Sequence, residues 1–218
     1  MGATPTTSSY AVLGLLALRP WTAYELNKQV GRSLRWVWPR SERHVYDEPK
    51  RLVRQGWATA RPVRKGMRTR TEYRITPAGR RALAAWLATP PAAPMVEIEG
   101  MLRLIHADHG EAADLVAALR STVVGLHTEA VTAVGPQVAD YLDTGGPFAE
   151  RLHIIALHVD FYRRFVELMD DWTADAVAEI ERWPSTRGVG LTAYGRDVFE
   201  GLAAWVAELE KAQVADQG

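Results

Sequence analysis

The hydrophobic period of the sequence changes twice in the first half of the chain, and this restricts the fold more than any other feature. Apolar residues recur at helical spacing up to Gly56, then alternate with polar residues as in β-strands, and later return to helical spacing. The pattern predicts two strands, 57–63 and 71–75, between helices. The joining segment 64–70 contains Gly66, which can adopt the positive φ of a hairpin turn.

Two helices are predicted before this region. The apolar segment 10–18 forms the first, and Pro20 ends it. Thr22 and Glu25 have the spacing of a capping box, in which each side chain binds the backbone amide of the other residue. This box predicts a second helix over 23–34.

A third helix is predicted over 42–55, with Ser41 as its cap. Pro49 lies in the middle of that range, so the helix either bends there or consists of two short helices. Thr76 and Pro77 have the residue types of a cap and a first helical position, and they predict a fourth helix. The order helix, helix, helix, strand, basic loop, strand, helix is that of a winged helix-turn-helix.

The charge of the chain is divided between two halves. Residues 1–89 contain 17 Lys and Arg against 5 Asp and Glu, whereas residues 90–218 contain 9 against 21, which gives net charges of +12 and −12. The division falls at the proline-rich segment 89–94. We therefore expect two modules, of which the basic one attracts a polyanion.

Double-stranded DNA is the polyanion that a winged helix-turn-helix binds, with its second motif helix in the major groove. Arg43 is the candidate for a bidentate guanine contact, and Ser41, His44 and Tyr46 are also expected near the bases. The candidate phosphate contacts are Tyr24, Arg40, Tyr46, Lys50 and the wing cations Arg64, Lys65, Arg68 and Arg70. Tyr46 is alternatively a core residue, and Arg51 and Arg54 are equally well explained as the solvated back of the helix.

The same residues resemble the PadR family of transcription regulators. The matching segments are 10–16, 23–26, 45–46, 50–52, 56–57 and 72–79. The remainder resembles the helical C-terminal domain of the family's virulence-regulator-like branch. The resemblance implies a homodimer joined by its C-terminal helices, a pseudo-palindromic operator, and repression more often than activation. It also implies that a small aromatic or hydrophobic effector is a candidate partner, because some members release DNA on binding one.

The second half is predicted to be all helical, so that the fold class is mainly α with a two-stranded wing. Its strongest helical period lies in 148–183, where two apolar stripes run side by side. One stripe can pack inside the subunit and the other needs a partner, although a monomeric bundle with a wide core is the alternative. The candidate dimerisation residues are Leu152, Ile155, Val159, Phe161, Phe165, Met169, Trp172 and Trp205.

A last helix capped by Thr192 is predicted to turn an apolar face inward, formed by Val198, Leu202, Trp205, Val206 and Leu209. The aromatic residues of this half could line an apolar ligand pocket, although aromatic residues at helical spacing are more often core.

The domain boundaries follow from these elements. We expect a flexible end at 1–8, a DNA-binding domain at 9–89, a linker at 90–95, a helical dimerisation domain at 96–213 and a flexible end at 214–218.

The sequence contains few features that indicate any other class of function. There is no cysteine, which removes disulfides and thiolate zinc sites, and there is no phosphate-binding glycine loop or nucleophile elbow. We expect no enzyme activity, cofactor or metal. The apolar run 11–18 is too short to span a membrane, and we expect a cytoplasmic protein. The alternative function is a winged-helix module that binds proteins and not DNA.

Overall fold

The computed structural model describes residues 5–34, 37–38, 46–65 and 68–215, apart from the side chains of 65, 68 and 214. The chain divides into two compact units, Met1–Pro94 and Met95–Gly218. We refer to them as the amino-terminal and carboxy-terminal units and describe each by itself.

The amino-terminal unit has four described helices. They are α1 (Thr7–Leu18), α2 (Ala23–Ser33), α3 (Glu48–Arg54) and α4 (Pro77–Leu87). The first begins earlier than predicted, because Thr6 and Ser9 form a capping box. Thr7 and Ser8, which we expected in a flexible end, are therefore helical. The predicted caps Thr22 and Thr76 are present, and their hydroxyls accept the amides of Glu25 and Gly79.

A three-stranded antiparallel sheet completes this unit, in the order β1 (Trp21–Thr22), β3 (Arg68–Ile75), β2 (Ala58–Lys65). The β2–β3 hairpin is the predicted wing, and its strands are longer than the sequence suggested. The strand β1 was not predicted. It pairs Trp21 with Tyr73 and Thr22 with Glu72, so that the residues just before α2 are tied to the wing.

The core of the amino-terminal unit lies where α1 packs against α3, α4 and β3. Its buried side chains include Val12, Leu13, Leu16, Leu26, Val30, Leu52, Tyr73 and Ile75. Beside this core, the Tyr10 ring stacks on Trp86 with centroids 4.9 Å apart and contacts Trp57 at 5.8 Å. The helices are thus fixed to the sheet by both aliphatic and aromatic contacts.

The carboxy-terminal unit is all helical in its described part. Its α-helices are α5 (Glu99–Ile105), α6 (Ala112–Glu129), α7 (Gly135–Thr144), α8 (Leu152–Ile180) and α9 (Ala193–Ala215). Short helical turns of other types occupy Ala107–His109, Ala130–Val134 and Gly146–Arg151. The π-helical turn Ala130–Val134 joins α6 to α7, which begins at Gly135.

The core of this unit lies between α6 and α8. Leu115, Val116 and Leu119 of α6 pack with Ala176, Val177 and Ile180 of α8, and Trp172 and Trp183 lie against the cluster. The Tyr162 hydroxyl donates a hydrogen bond to the Leu126 carbonyl at 3.1 Å.

The helix α9 differs from the sequence-based prediction. The residues expected to face inward, Val198, Leu202, Trp205, Val206 and Leu209, are all exposed in the protomer. The prediction was wrong because helical period identifies an apolar face without showing that another element of the same chain covers it.

Candidate nucleic-acid interface

The start of α2 holds Tyr24 at the surface. Thr22 is buried and forms a capping box with Glu25, in which the Thr22 amide donates a hydrogen bond to the Glu25 carboxylate at 2.8 Å. This capping box fixes the first turn of α2, and the β1–β3 pairing fixes the residues before it. Tyr24 follows directly and is 60 % exposed.

The wing presents basic residues on both of its faces. The register pairs Val63 with Arg70 and Arg64 with Thr69, and residues paired across a sheet point to the same side. Arg64 and Arg70 therefore lie on opposite faces of the hairpin. Arg61 pairs with Glu72 at 2.8 Å on the Arg70 face, which neutralises one wing cation. In the described part of the chain, no carboxylate forms an ion pair with Arg64 or Arg70.

The helix α3 resolves the difficulty that Pro49 raised. This proline lies in the first turn of α3, where a missing amide costs nothing, and not in a helix interior. The range 42–55 is not one continuous helix, because Tyr46 and Asp47 form a turn and α3 begins at Glu48. Residues 42–45 lie outside the described residues, so the first of two short helices stays a prediction. Lys50 is exposed and contacts Asp47 at 3.4 Å, and Tyr46 is exposed just before the helix.

Arg51 has a different place from the one its sequence suggests. Its side chain is only 19 % exposed, and its guanidinium donates to the buried Glu48 carboxylate at 3.0 Å. Arg51 is therefore not the solvated back of the helix but half of a sheltered ion pair. Sequence reasoning missed Glu48, although the spacing of three residues between opposite charges on a helix is a usable signal.

Four of the predicted contacts fall outside the described residues, namely Arg40, Ser41, Arg43 and His44. The same holds for the side chains of Lys65 and Arg68. The described members of the predicted set are Tyr24, Tyr46, Lys50, Arg64 and Arg70. Of these, the structure brings Tyr24 and Arg70 together, with the guanidinium carbon 5.3 Å from the centre of the tyrosine ring.

The predicted dimerisation residues have mixed positions within the protomer. Phe161 and Trp205 are 58 % and 59 % exposed, whereas Met169 is 5 % exposed and lies inside its own protomer. The partly buried members are Leu152, Ile155, Val159, Phe165 and Trp172. The exposed apolar stripe of α8 also contains Ile154, Leu157 and Leu168. None of these three was among the predicted dimerisation residues.

A cavity of about 400 Å³ opens between α6 and α8. Ala112, Val116 and Ile180 form its apolar wall, and the Arg120–Glu181 ion pair lies at its edge with a 3.0 Å separation. The aromatic residues that could have lined a pocket do not line this cavity.

Among the described residues, no group of three His, Cys, Asp or Glu side chains could hold a metal ion. No helix in the same part of the chain is long and apolar enough to cross a membrane.

Comparisons with known proteins agree with this architecture. The model of the transcriptional regulator PadR-like family matches residues 12–85. A search of curated protein sequences finds no significant match.

Solved structures with the same fold include PadR of Bacillus subtilis in complex with operator DNA. It is 19 % identical, with a TM-score of 0.63, and the match covers 80 % of this chain and 99 % of that one. The same protein in complex with p-coumaric acid is 18 % identical, with a TM-score of 0.57 and coverage of 81 % and 100 %. The Vibrio cholerae virulence activator AphA is 22 % identical, with a TM-score of 0.58 and coverage of 80 % and 98 %.

These structures establish the fold, a winged helix followed by a helical region. Residues 12–85 of the amino-terminal unit match the model of the transcriptional regulator PadR-like family, and the chain as a whole has the fold of the PadR and AphA structures.

Proposed function

We propose that this protein is a sequence-specific DNA-binding repressor that binds a pseudo-palindromic operator as a homodimer and is released by a small aromatic ligand. The observation that carries the proposal is the placement of the wing cation Arg70 beside the exposed Tyr24 at the start of α2, in a unit of strongly positive charge. Arg70 is partly exposed and is not paired with a carboxylate among the described residues. A duplex binds such a surface because basic side chains displace its condensed counterions.

The wing supports DNA binding more than protein binding. Arg64 and Arg70 lie on opposite faces of a projecting hairpin, and neither is paired with a carboxylate among the described residues. A hairpin that enters or straddles a groove faces phosphates on both sides, so that cations on both faces are useful there. An acidic or apolar protein partner would leave one of these faces without a matching charge.

The dimer is supported by the apolar surface of the carboxy-terminal unit. The exposed stripe of α8, with Leu157, Phe161 and Leu168, is large for a soluble monomer, and α9 adds Leu202 and Trp205. A second copy of the chain would cover these side chains. Two copies would then hold two DNA-binding units on one site, where the second binds at high effective concentration.

The proposals of repression and of ligand-induced release from DNA are supported only by the structural similarity to PadR. The Bacillus subtilis PadR structures contain operator DNA in one case and p-coumaric acid in another. The proposed effector of this chain is a small aromatic molecule, and p-coumaric acid is the first probe. The AphA neighbour is an activator, so a promoter reporter that rises when the protein is present would overturn repression without affecting DNA binding.

DNA binding is tested by selecting fragments of genomic DNA with the purified protein and titrating the selected duplex against salt. We expect a pseudo-palindromic sequence and steep weakening with salt. We expect Arg64→Ala with Arg70→Ala to lower the magnitude of the logarithmic slope by about 4, because each of the two protomers loses two cations. Arg103→Ala is the matched control, because Arg103 is an exposed cation of the carboxy-terminal unit, paired with Glu99 at 2.6 Å. Binding that does not respond to salt, or no selected DNA, would favour the protein-binding module.

A further inference from the structure

The two-residue strand β1 determines which residue of α2 meets the wing. It is antiparallel to β3, with Trp21 opposite Tyr73 and Thr22 opposite Glu72. The pairing ends there, because α2 begins at Ala23. Tyr24 and Arg70 each lie two residues beyond the Thr22–Glu72 pair, so the paired backbones bring the two side chains close together.

The contact leaves the charge of Arg70 available. The guanidinium carbon is 5.3 Å from the Tyr24 ring centre, within the range of a cation–π interaction. An aromatic ring orients a guanidinium without neutralising it. Arg61 on the same face shows the other situation, since its guanidinium is bound by the Glu72 carboxylate at 2.8 Å. Arg70 is thus oriented by the ring and, among the described residues, is not paired with a carboxylate.

We propose that Tyr24 is a positioning residue that holds the Arg70 guanidinium for a phosphate of duplex DNA. This inference rests on the proposed function and names one part of how that function works. A free arginine side chain loses conformational freedom when it binds a phosphate, and a ring that orients it beforehand reduces this loss. The ring of Tyr24 therefore strengthens DNA binding through Arg70.

A direct role of Tyr24 is the alternative. Its hydroxyl is exposed together with the ring and could itself donate a hydrogen bond to a phosphate. The two roles require different atoms, since the positioning role needs only the aromatic face and the direct role needs only the hydroxyl. Tyr24→Phe keeps the face and removes the hydroxyl, whereas Tyr24→Leu removes both and keeps an apolar side chain of good helix propensity.

The experiment is a double-mutant cycle on the selected duplex, measured by fluorescence anisotropy at several salt concentrations. We expect Tyr24→Phe to bind like the wild type and Tyr24→Leu to bind about fourfold more weakly. In the Arg70→Ala background we expect Tyr24→Leu to have no further effect, because its only action is through Arg70. Equal weakening in both backgrounds, or a loss in Tyr24→Phe as large as in Tyr24→Leu, would overturn the proposal.

A second measurement tests the contact between Tyr24 and Arg70 in the wild-type protein alone, without DNA and without any variant. In the NMR spectrum of the wild-type protein, a guanidinium over a ring face gives Arg70 side-chain protons shifted upfield by the ring current. Unshifted protons would overturn the positioning role. Failure of the wild type to bind any duplex would instead overturn the proposed function, and an additive cycle with normal wild-type binding would overturn this inference alone.

Discussion

The two units of this chain differ in how far they bury their apolar residues. In the amino-terminal unit, four described helices and a sheet surround one core, and leucines such as Leu13, Leu16 and Leu26 are almost fully buried. In the carboxy-terminal unit the core is a narrow contact between α6 and α8, and no described side chain of α9 is buried. One unit is completed within its own chain, and the other is not.

The charges of the two units reinforce this difference. The basic unit exposes cations such as Lys50 and Arg64, whereas the acidic unit exposes long apolar stripes between its charges. Large exposed apolar patches indicate contact surfaces in soluble proteins. The comparison therefore supports the proposal that the first unit binds a polyanion and that the second binds another copy of the chain.

The largest expected effect comes from Gly79 in the amino-terminal unit. A β-carbon at this position would lie 2.2 Å from the Trp57 carbonyl oxygen, which also accepts the Thr76 amide at 3.0 Å. Because the clash is between backbone atoms held by hydrogen bonds, we expect Gly79→Ala to lower the free energy of unfolding of this unit by about 3 kcal/mol. Hydrogen exchange measured by mass spectrometry would show the loss in peptides from residues 1–94.

Gly14→Ala is the matched control, since Gly14 lies in α1 and a β-carbon there would meet no atom within 4 Å. We expect this variant to gain about 0.5–1 kcal/mol from the helix preference of alanine. If Gly79→Ala removed protection from peptides of 95–218 to the same extent, the two units would unfold together and the comparison between them would fail.

The second effect concerns α9 in the carboxy-terminal unit. We expect Trp205→Glu to weaken the dimer about 30-fold, since an exposed tryptophan at the centre of an apolar face is a typical hot spot. The free energy of unfolding of the monomer should change by less than about 0.5 kcal/mol, because the side chain makes little contact within its own chain. Sedimentation equilibrium would measure the first quantity and denaturant titration at low concentration the second.

Ala204→Glu adds the same charge to the same helix on the side away from Leu202, Trp205 and Leu209, and it should leave the dimer unchanged. A dimer that tolerates Trp205→Glu as well as Ala204→Glu would show that α9 is not at the interface. The exposed stripe of α8 would then be the remaining candidate.

Much of the fold could be predicted from the sequence, because its signals are local. The capping box of Thr22 and Glu25, the cap and proline at 76–77 and the strand period of the wing each depend on residues close in the chain. The strand β1 could not be predicted in this way, since two residues have no period and their pairing is with β3. Pro49 was informative but ambiguous, because a proline that interrupts one helix equally well begins another.

The candidate site was less predictable than the fold. Composition identified the wing cations, but the register that separates Arg64 from Arg70 depends on the turn between the strands. Helical period identified two stripes on α8, yet it did not show that Met169 faces inward while Leu157 faces outward. Period shows which residues share a face, and only packing decides which face is covered.

The smallest expected effect is a pH dependence at the base of α9. The buried Glu179 of α8 accepts hydrogen bonds from the Thr192 hydroxyl and from the Trp183 indole, the latter at 3.1 Å, and these bonds hold the pKa of its carboxyl below its ordinary value. A carboxyl with a lowered pKa stabilises the folded state above its unfolded pKa, and this contribution is lost as the pH falls through the folded pKa. Glu179→Gln should therefore be less stable than the wild type at pH 7, and the difference should shrink below about pH 4.

Thermal unfolding at pH 7 and pH 3 would measure this change, with Glu208→Gln as the control, because Glu208 is exposed and forms a surface ion pair with Lys211 at 2.8 Å. Thr192 also accepts the Gly195 amide at 3.0 Å, so the Glu179 network joins the end of α8 to the first turn of α9. Because no described side chain of α9 is buried, this network is one of the few means by which the protomer orients the helix that we expect to meet its partner. A stability difference that stayed constant with pH would mean that Glu179 acts through packing and not through its charge.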